Sequence, residues 1–307
     1  MDRLTFSIAP VAPFRLDLTA WALRRRRQNI IDRWDGRTYR RVLPFGNVPV
    51  EVAVTQTGPS DAPRLRVALT GLGLRPEFKE QAKSQIEKML GLRVDLGSFY
   101  RMASHDAKLL LLVEKFRGVK PPRFPTIFET LANAFACQQL SLEAGLGMLS
   151  RMACACGLSL EQNGETSYAF PRPEDLLELG PGAIRELGFS ENKSRAFLEL
   201  ANNIVSGRIN FDSLEQMDNE AVVASLLELR GVGRWTAEYV LLRGLKPLNV
   251  FPGDDVGARN RLAKWLQSKE PLDYDGVAWA TRNWEPYAGM VYFHMLLEGL
   301  SEAGELK

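Results

Sequence analysis

The chain is poor in the residues that build metal centres and disulfide frameworks. Among 307 residues there are three cysteines, Cys137, Cys154 and Cys156, and two histidines, His105 and His294. An odd, clustered set of cysteines is not a disulfide scaffold and fits a reducing cytosol. It also falls short of the four-cysteine spacing of an iron–sulfur centre, and two histidines are too few for a histidine-based zinc site. No run of about 18 uncharged apolar residues is present, which argues against a membrane span. The opening MDRLTFSIAP lacks the basic-then-apolar order of a signal peptide. An excess of one charge is missing too: 39 Lys and Arg against 37 Asp and Glu leave a net +2. That total does not announce a polyanionic partner, although a basic face fits inside a balanced sum. Glycine and proline, at 25 and 17 residues, stay near average and argue against long disorder.

What is present is 45% hydrophobic and 25% charged, enough for a real core in one large or two to three small domains. Residues 1 to about 72 alternate like strands around one helix. Leu4–Ile8, Thr38–Pro44, Val48–Thr57 and Arg64–Thr70 read as strands, with a hairpin turn at Phe45-Gly46-Asn47. Asp17 is placed to cap a helix running through Arg27, and Arg24–Arg27 reads as a solvated helix end that suits the dipole. A phosphate-contacting cluster is the alternative. From Pro76 the periodicity is helical. Gly118–Pro125 reads as a linker, and almost everything after it as helix.

The densest stretch is Leu226–Arg261, LLELRGVGRWTAEYVLLRGLKPLNVFPGDDVGARNR. Arg230-Gly231-Val232-Gly233 breaks an apolar run, because two glycines one residue apart make a turn. Helical spacing resumes at Trp235, and Gly244 is placed to end that helix. Pro252-Gly253 forces a second turn, and Asp254 or Asp255 falls at a helix N-cap. Side-chain-free Gly231 and Gly233 let backbone N–H groups and the start of a helix approach an anion closely, and a phosphate is the natural guest.

LRGVGRWTAEYVLLRGL followed by FPGDD resembles the helix-hairpin-helix, Gly/Pro-Asp (HhH-GPD) motif of base-excision DNA glycosylases. More narrowly it resembles the 3-methyladenine DNA glycosylase II (AlkA) type, most strongly from about Phe128 to Leu300. The resemblance implies an α+β protein. A small antiparallel-sheet N-terminal domain with connecting helices would span residues 1–118, and an all-helical catalytic region would span residues 126–307. Some members carry an iron–sulfur cluster after the catalytic aspartate; here no cysteine follows Cys156.

Carried over residue by residue, the resemblance makes Asp255 the catalytic carboxylate that stabilises an oxocarbenium-like transition state. Asp254 is then left to cap the helix. Trp235 stands where strand-cleaving members have a Schiff-base lysine, which implies a monofunctional enzyme with water as the nucleophile. Trp235, Tyr239 and Tyr287, with Trp21 as a further wall, are expected to form an electron-rich base pocket suited to a cationic alkylated purine. Tyr287 replaces the tryptophan usual at its position. Gly231, Val232, Gly233, Arg234 and Thr236 are expected to contact DNA, with Arg230 and Lys246 as further phosphate partners or mere exposed charges. In Ala136–Ser141, Gln138, Gln139 and Leu140 match the segment that fills the gap left by a flipped base. Gln139 matches the wedge itself, and Leu140 is the alternative.

The implied partner is double-stranded DNA containing damaged bases. No organic cofactor is implied, and the resemblance allows for a monovalent cation on the hairpin backbone. A cytosolic, nucleoid-associated monomer fits. Other lesions (uracil, hypoxanthine, an oxidised purine) remain open, as does a non-catalytic hairpin module that clamps DNA. A clamp has no need of Asp255. A transcriptional regulator with a glycosylase-like domain would need a zinc site that these cysteines do not supply.

Overall fold

The computed structural model describes residues 1–245 and 248–306, so Lys246 lies outside the described residues. Strands β1 (Asp2–Ile8), β2 (Arg33–Trp34), β3 (Thr38–Phe45), β4 (Val48–Gln56) and β5 (Leu65–Gly71) form one antiparallel sheet in the order β1-β5-β4-β3-β2. Helix α1 (Leu16–Arg24) is inserted between β1 and β2. The period-2 pattern explains the sheet. Val50, Val52 and Val54 of β4 and Leu65, Val67 and Leu69 of β5 are buried in one core with Phe14 and Leu23. Phe45 pairs with Val48, and Gly46 takes a φ of 60°, so the hairpin turns where the sequence places it.

The rest is mainly helical. α2 (Phe78–Met89), α3 (Gly97–Ala103) and α4 (Ala107–Lys115) are followed by α5 (Ile127–Cys137) and α6 (Leu142–Cys156). A two-stranded hairpin, β6 (Ser159–Gln162) and β7 (Glu165–Tyr168), comes next. Then come α7 (Pro173–Leu177), α8 (Pro181–Glu186), α9 (Glu191–Val205), α10 (Asn219–Leu227) and α11 (Arg234–Val240). α12 (Val256–Leu266), α13 (Tyr274–Thr281) and α14 (Ala288–Glu302) complete the chain. None of the described helices is long and apolar enough to cross a membrane.

Two helical cores result. α5, α6, α9, α10 and α11 share Leu131, Phe135, Leu149, Phe197, Leu226 and Val240. α3 and α4 pack their Phe99, Leu109 and Val113 with Leu262, Phe293 and Leu297 of α12 and α14. α3 and α4 thus pack with the C-terminal helices, whereas α2 sets Phe78, Ala82, Ile86 and Met89 into the core of the sheet.

Several local expectations are corrected. The β6–β7 hairpin was not foreseen, yet its turn is Asn163-Gly164 with φ of 53° and 81°, the left-handed pair that a two-residue hairpin needs. Asp17 does not cap α1; it lies in the first turn after the N-cap Arg15 and pairs with that arginine. Gly244 does not end the helix after the central hairpin. α11 continues as a π-helix over Leu241–Leu245, and a Cβ on Gly244 would stand 2.9 Å from Ile127 Cδ1. The glycine is there because α5 presses on it. Gly118–Pro125 is not a loose linker either. Lys120 is fully buried, its Nζ donates to the Val94 carbonyl at 2.7 Å, and burial lowers its pKa to about 8.

The largest departure is at Arg24–Arg27. Arg24 and Arg25 are buried, not solvated. Arg24 Nη1 donates to the Trp34 carbonyl at 2.9 Å. Arg25 closes α1 in the left-handed region with φ of 63°. From the far side, Arg243 Nη1 donates to the Ala22 carbonyl at 3.0 Å, satisfying an acceptor that the helix end leaves open. Helix macrodipole arguments favour cations at this end, but here the cations are enclosed by tertiary packing.

Arg41 of β3 joins the sheet to α5. It donates to Asp32 Oδ1 at 2.8 Å and to both oxygens of Glu129 at 2.6 and 2.5 Å, and all three side chains are buried. Removing the cation would strand two carboxylates in low dielectric. Arg41→Leu is expected to cost about 3–5 kcal/mol of unfolding free energy, read from urea denaturation midpoints at neutral pH. A loss below about 1 kcal/mol would mean that the triad does not hold the sheet to α5.

Candidate active site

The hairpin is built by one glycine in a conformation other residues avoid. Gly231 has φ of 81°, and the Val232 N–H donates to the Leu229 carbonyl at 3.1 Å to close the turn. Val232 turns its side chain into the core. Gly233 is the extended N-cap of α11 and faces open space: an added Cβ would meet nothing within 4 Å. At Gly231 it would come within 3.2 Å of Ala196.

Gln138, at the end of α5, staples this turn. Its Nε2 donates to the Gly231 carbonyl and to Thr236 Oγ1, both at 2.9 Å. Thr236 is buried, so its side chain faces the protein and not an approaching ligand. Lys193 Nζ donates to the Gln138 carbonyl at 2.8 Å from the other side. Gln139 is exposed with φ of 56°, and Leu140 is 48% exposed beside it. An open cleft of about 780 Å³ runs along Gln138–Leu140 to Ser190 and Lys193.

The second turn and the start of α13 are tied to α11 by three contacts. Arg234 Nε donates to Asp254 Oδ2 at 2.8 Å, and its guanidinium lies 3.6 Å from the centre of the Tyr274 ring. Tyr274 OH donates to Glu238 Oε1 at 2.6 Å. Burial raises the Glu238 carboxyl, and burial together with Glu238 lifts the Tyr274 phenol to about 12. Gly253 lets Tyr274 approach, since a Cβ there would fall 2.6 Å from the ring.

Asp255, not Asp254, is the N-cap of α12. Its Oδ1 accepts from the Ala258 N–H at 2.9 Å. Its Oδ2 faces the Tyr292 hydroxyl at 3.4 Å. The Tyr292 ring stands edge-on to Phe251 at 5.6 Å, which fixes the hydroxyl near the carboxylate. Asp254 takes the salt bridge to Arg234 instead of the cap. Arg230 pairs with Glu199 at 3.6 Å.

The proposed pocket aromatics separate into two groups. Trp235 and Tyr239 lie together, with ring centres 5.4 Å apart. Tyr287 has its ring contact with Phe99 at 5.8 Å, and Trp21 is buried beneath Arg24 in the core shared with α14. The tyrosine that meets Asp255 is Tyr292, on the same helix as the residues after Tyr287. Sequence reading also missed Arg25, whose Nη1 donates to Tyr239 OH at 3.0 Å and whose Nη2 donates to Asn133 Oδ1 at 2.6 Å. No spacing rule joins residues that far apart in the chain. His294 is fully buried against the Met290 carbonyl, and burial lowers its pKa to about 4, so it is neutral and enclosed.

A profile of HhH-GPD superfamily base excision DNA repair proteins matches residues 132–286. The chain belongs to this superfamily. This HhH-GPD protein is 30% identical over 225 residues to the DNA-3-methyladenine glycosylase of Bacillus subtilis, a match covering 71% of this chain and 73% of that one. A 3-methyladenine DNA glycosylase structure from Archaeoglobus fulgidus superposes with a TM-score of 0.82 at 24% identity, covering 95% and 97% of the two chains. An 8-oxoguanine glycosylase/lyase from Clostridium acetobutylicum, bound to dsDNA containing cytosine opposite 8-oxoG, gives 0.75 at 15% identity over 98% of both. The last two likenesses show the fold alone. Since one fold spans both descriptions, lesion choice must come from side chains.

A cation on the hairpin backbone would need free carbonyl oxygens. Those of Leu229 and Gly231 accept from the Val232 N–H and from Gln138 Nε2, and each keeps a second lone pair, so the turn stays compatible with such a cation.

The two hairpin glycines should separate in a stability assay. Gly231→Ala is expected to cost about 1–3 kcal/mol, because alanine must adopt a left-handed φ in a tight space. Gly233→Ala is expected to stay within about 0.5 kcal/mol. Equal losses in calorimetric melting would contradict this account of the turn.

Proposed function

We propose that this HhH-GPD protein is a monofunctional DNA glycosylase that hydrolyses the N-glycosidic bond of alkylated, 3-methyladenine-type bases in double-stranded DNA. The observation that carries the reading is the setting of Asp255. One oxygen is held by the start of α12, the other accepts from the Tyr292 hydroxyl at 3.4 Å, and the residue is half-buried. A carboxylate fixed in this way costs no reorganisation when positive charge develops on the sugar, and it can orient the attacking water. An alkylated purine is already an activated leaving group, so no general acid is required. The enclosed, neutral His294 offers none.

Trp235 and Tyr239 supply stacking faces for a base taken out of the duplex, with Tyr287 and Trp21 as further walls. Gln139 and Leu140, exposed at the α5–α6 junction, are placed to fill the gap, and unstacking by a few kcal/mol makes such a plug useful. Backbone N–H groups around Gly233 and the side chains of Arg230 and Arg234 would take phosphates. Both arginines are exposed and held only by surface carboxylates. A DNA clamp without chemistry would not need the Asp255 arrangement.

Asp255→Asn is a clean test, because asparagine caps a helix as well as aspartate does and removes only the charge. Base release from methylated duplex should fall about 100-fold or more, with duplex affinity kept or improved. If Asp254→Asn loses release while Asp255→Asn keeps it, the assignment belongs to Asp254.

Reaction type is tested separately. With Trp235 in place of an amine, the product should be an intact strand carrying an abasic site. Breaks should appear only after hot alkali, and borohydride should trap no protein–DNA adduct. A trapped adduct would show that another amine reaches the sugar, and the monofunctional reading would fall.

A further inference from the structure

Asp255 is held at both carboxylate oxygens, and the second hold comes from outside its own helix. Oδ1 accepts from the Ala258 N–H at 2.9 Å, the cap of α12. That bond alone would let the carboxylate pivot about Oδ1. The Tyr292 hydroxyl, from α14, donates to Oδ2 at 3.4 Å and closes the pivot. Two donors at two oxygens define the plane of the group and still leave each oxygen a lone pair.

The donor is itself braced. The Tyr292 ring meets Phe251 edge-on at 5.6 Å, and Phe251 opens the Pro252-Gly253 turn that carries Asp255. The Phe293 ring also stands edge-on to it, at 5.7 Å. α12 and α14 share one core through Leu262, Val291 and Met295, and Gly299 of α14 lies against the Arg261 guanidinium of α12. Donor and acceptor therefore ride on elements packed against each other. Enclosure of the hydroxyl, and after it the Asp255 charge, raise the Tyr292 phenol well above its ordinary value, so it stays a donor.

The chemistry of that donor matters. Asp254, one residue earlier, is held by the Arg234 guanidinium, a full counter-charge. Tyr292 is neutral. It fixes Asp255 without cancelling the negative charge, which stays available to a sugar that turns positive.

We infer that Tyr292 is a positioning residue for glycosidic hydrolysis: by donating to Asp255 Oδ2 it fixes the plane of the carboxylate and leaves its charge free for the sugar. The inference rests on the glycosylase reading and deepens it. In this role Tyr292 transfers no proton. It keeps the carboxylate aimed, so that little reorganisation is left for the transition state.

The test is single-turnover base release from methylated duplex, with duplex affinity measured beside it. Tyr292→Phe removes one oxygen atom. It should slow release about tenfold and keep affinity within about twofold, as expected for losing one hydrogen bond to a charged acceptor. In the Asp255→Asn background the same change should alter the residual rate by less than about twofold, because the charge it aims is gone. A merely structural role would slow release in both backgrounds, which would overturn the inference. So would an unchanged rate in Tyr292→Phe with Asp255 intact. A fluorinated tyrosine at position 292 keeps the shape and gives up its proton more readily. The charged and titratable groups around that hydroxyl are Asp255, Tyr239, Arg243 and Arg25. As pH rises and phenolate absorbance appears, release by this variant should fall toward the Tyr292→Phe rate while the wild type holds level. A level rate through phenolate formation would overturn the inference even if Tyr292→Phe failed to fold. No release by the wild type would sink the glycosylase reading itself, a result distinct from release that ignores Tyr292.

Discussion

The Arg41 guanidinium is the joint on which the rest depends. It binds Asp32 beside the sheet and Glu129 near the start of α5, in the same buried space. α5 is buried from Phe128 to Ala136, so its position is set by packing along its length and by this ion triad near its start. At its other end it carries Asn133 and Gln138. Gln138 then fixes the Gly231 carbonyl and Thr236. The hairpin starts α11, and α11 holds the second turn through Arg234–Asp254 and the start of α13 through Glu238–Tyr274. Asp255 emerges from that turn. A half-exposed carboxylate is thus located by a chain of buried contacts that begins at the sheet.

The glycines in this chain do different work. Gly231 supplies a left-handed φ, Gly244 and Gly253 admit close neighbours, and Gly233 leaves open space on the outer face. Three meet a need of the fold, and Gly233 leaves its outer face open. The aspartates divide in the same way. Asp254 spends its charge on Arg234, while Asp255 keeps one oxygen away from the cap it makes. Adjacent identical residues reach different roles because the helix start turns their side chains in different directions.

Local patterns announced much of this. The strand alternation of β4 and β5, the turn at Gly46, the limits of α5 and α6, and the two turns of the Leu226–Arg261 stretch were all legible, because each depends on neighbours within a few residues. The Asn163-Gly164 hairpin was equally local and could have been read from that dipeptide. Gly244 misled because its role is set by α5, far away in sequence. Arg24–Arg27 misled for a related reason: four arginines at a helix end read as solvated unless distant acceptors enclose them.

The sequence by itself determined the family, the α+β class, the hairpin and the acidic pair after it. These rest on short-range spacing, glycine stereochemistry and periodicity, which a linear chain displays directly. Only the tertiary structure decided which aspartate caps α12, that Tyr292 stands beside Asp255, and that Arg25 reaches Tyr239. Those facts join residues up to 214 positions apart, as Arg25 and Tyr239 are. Such pairings are chosen when whole helices dock to bury their apolar faces, so the polar contacts they bring together leave no periodic trace in the chain.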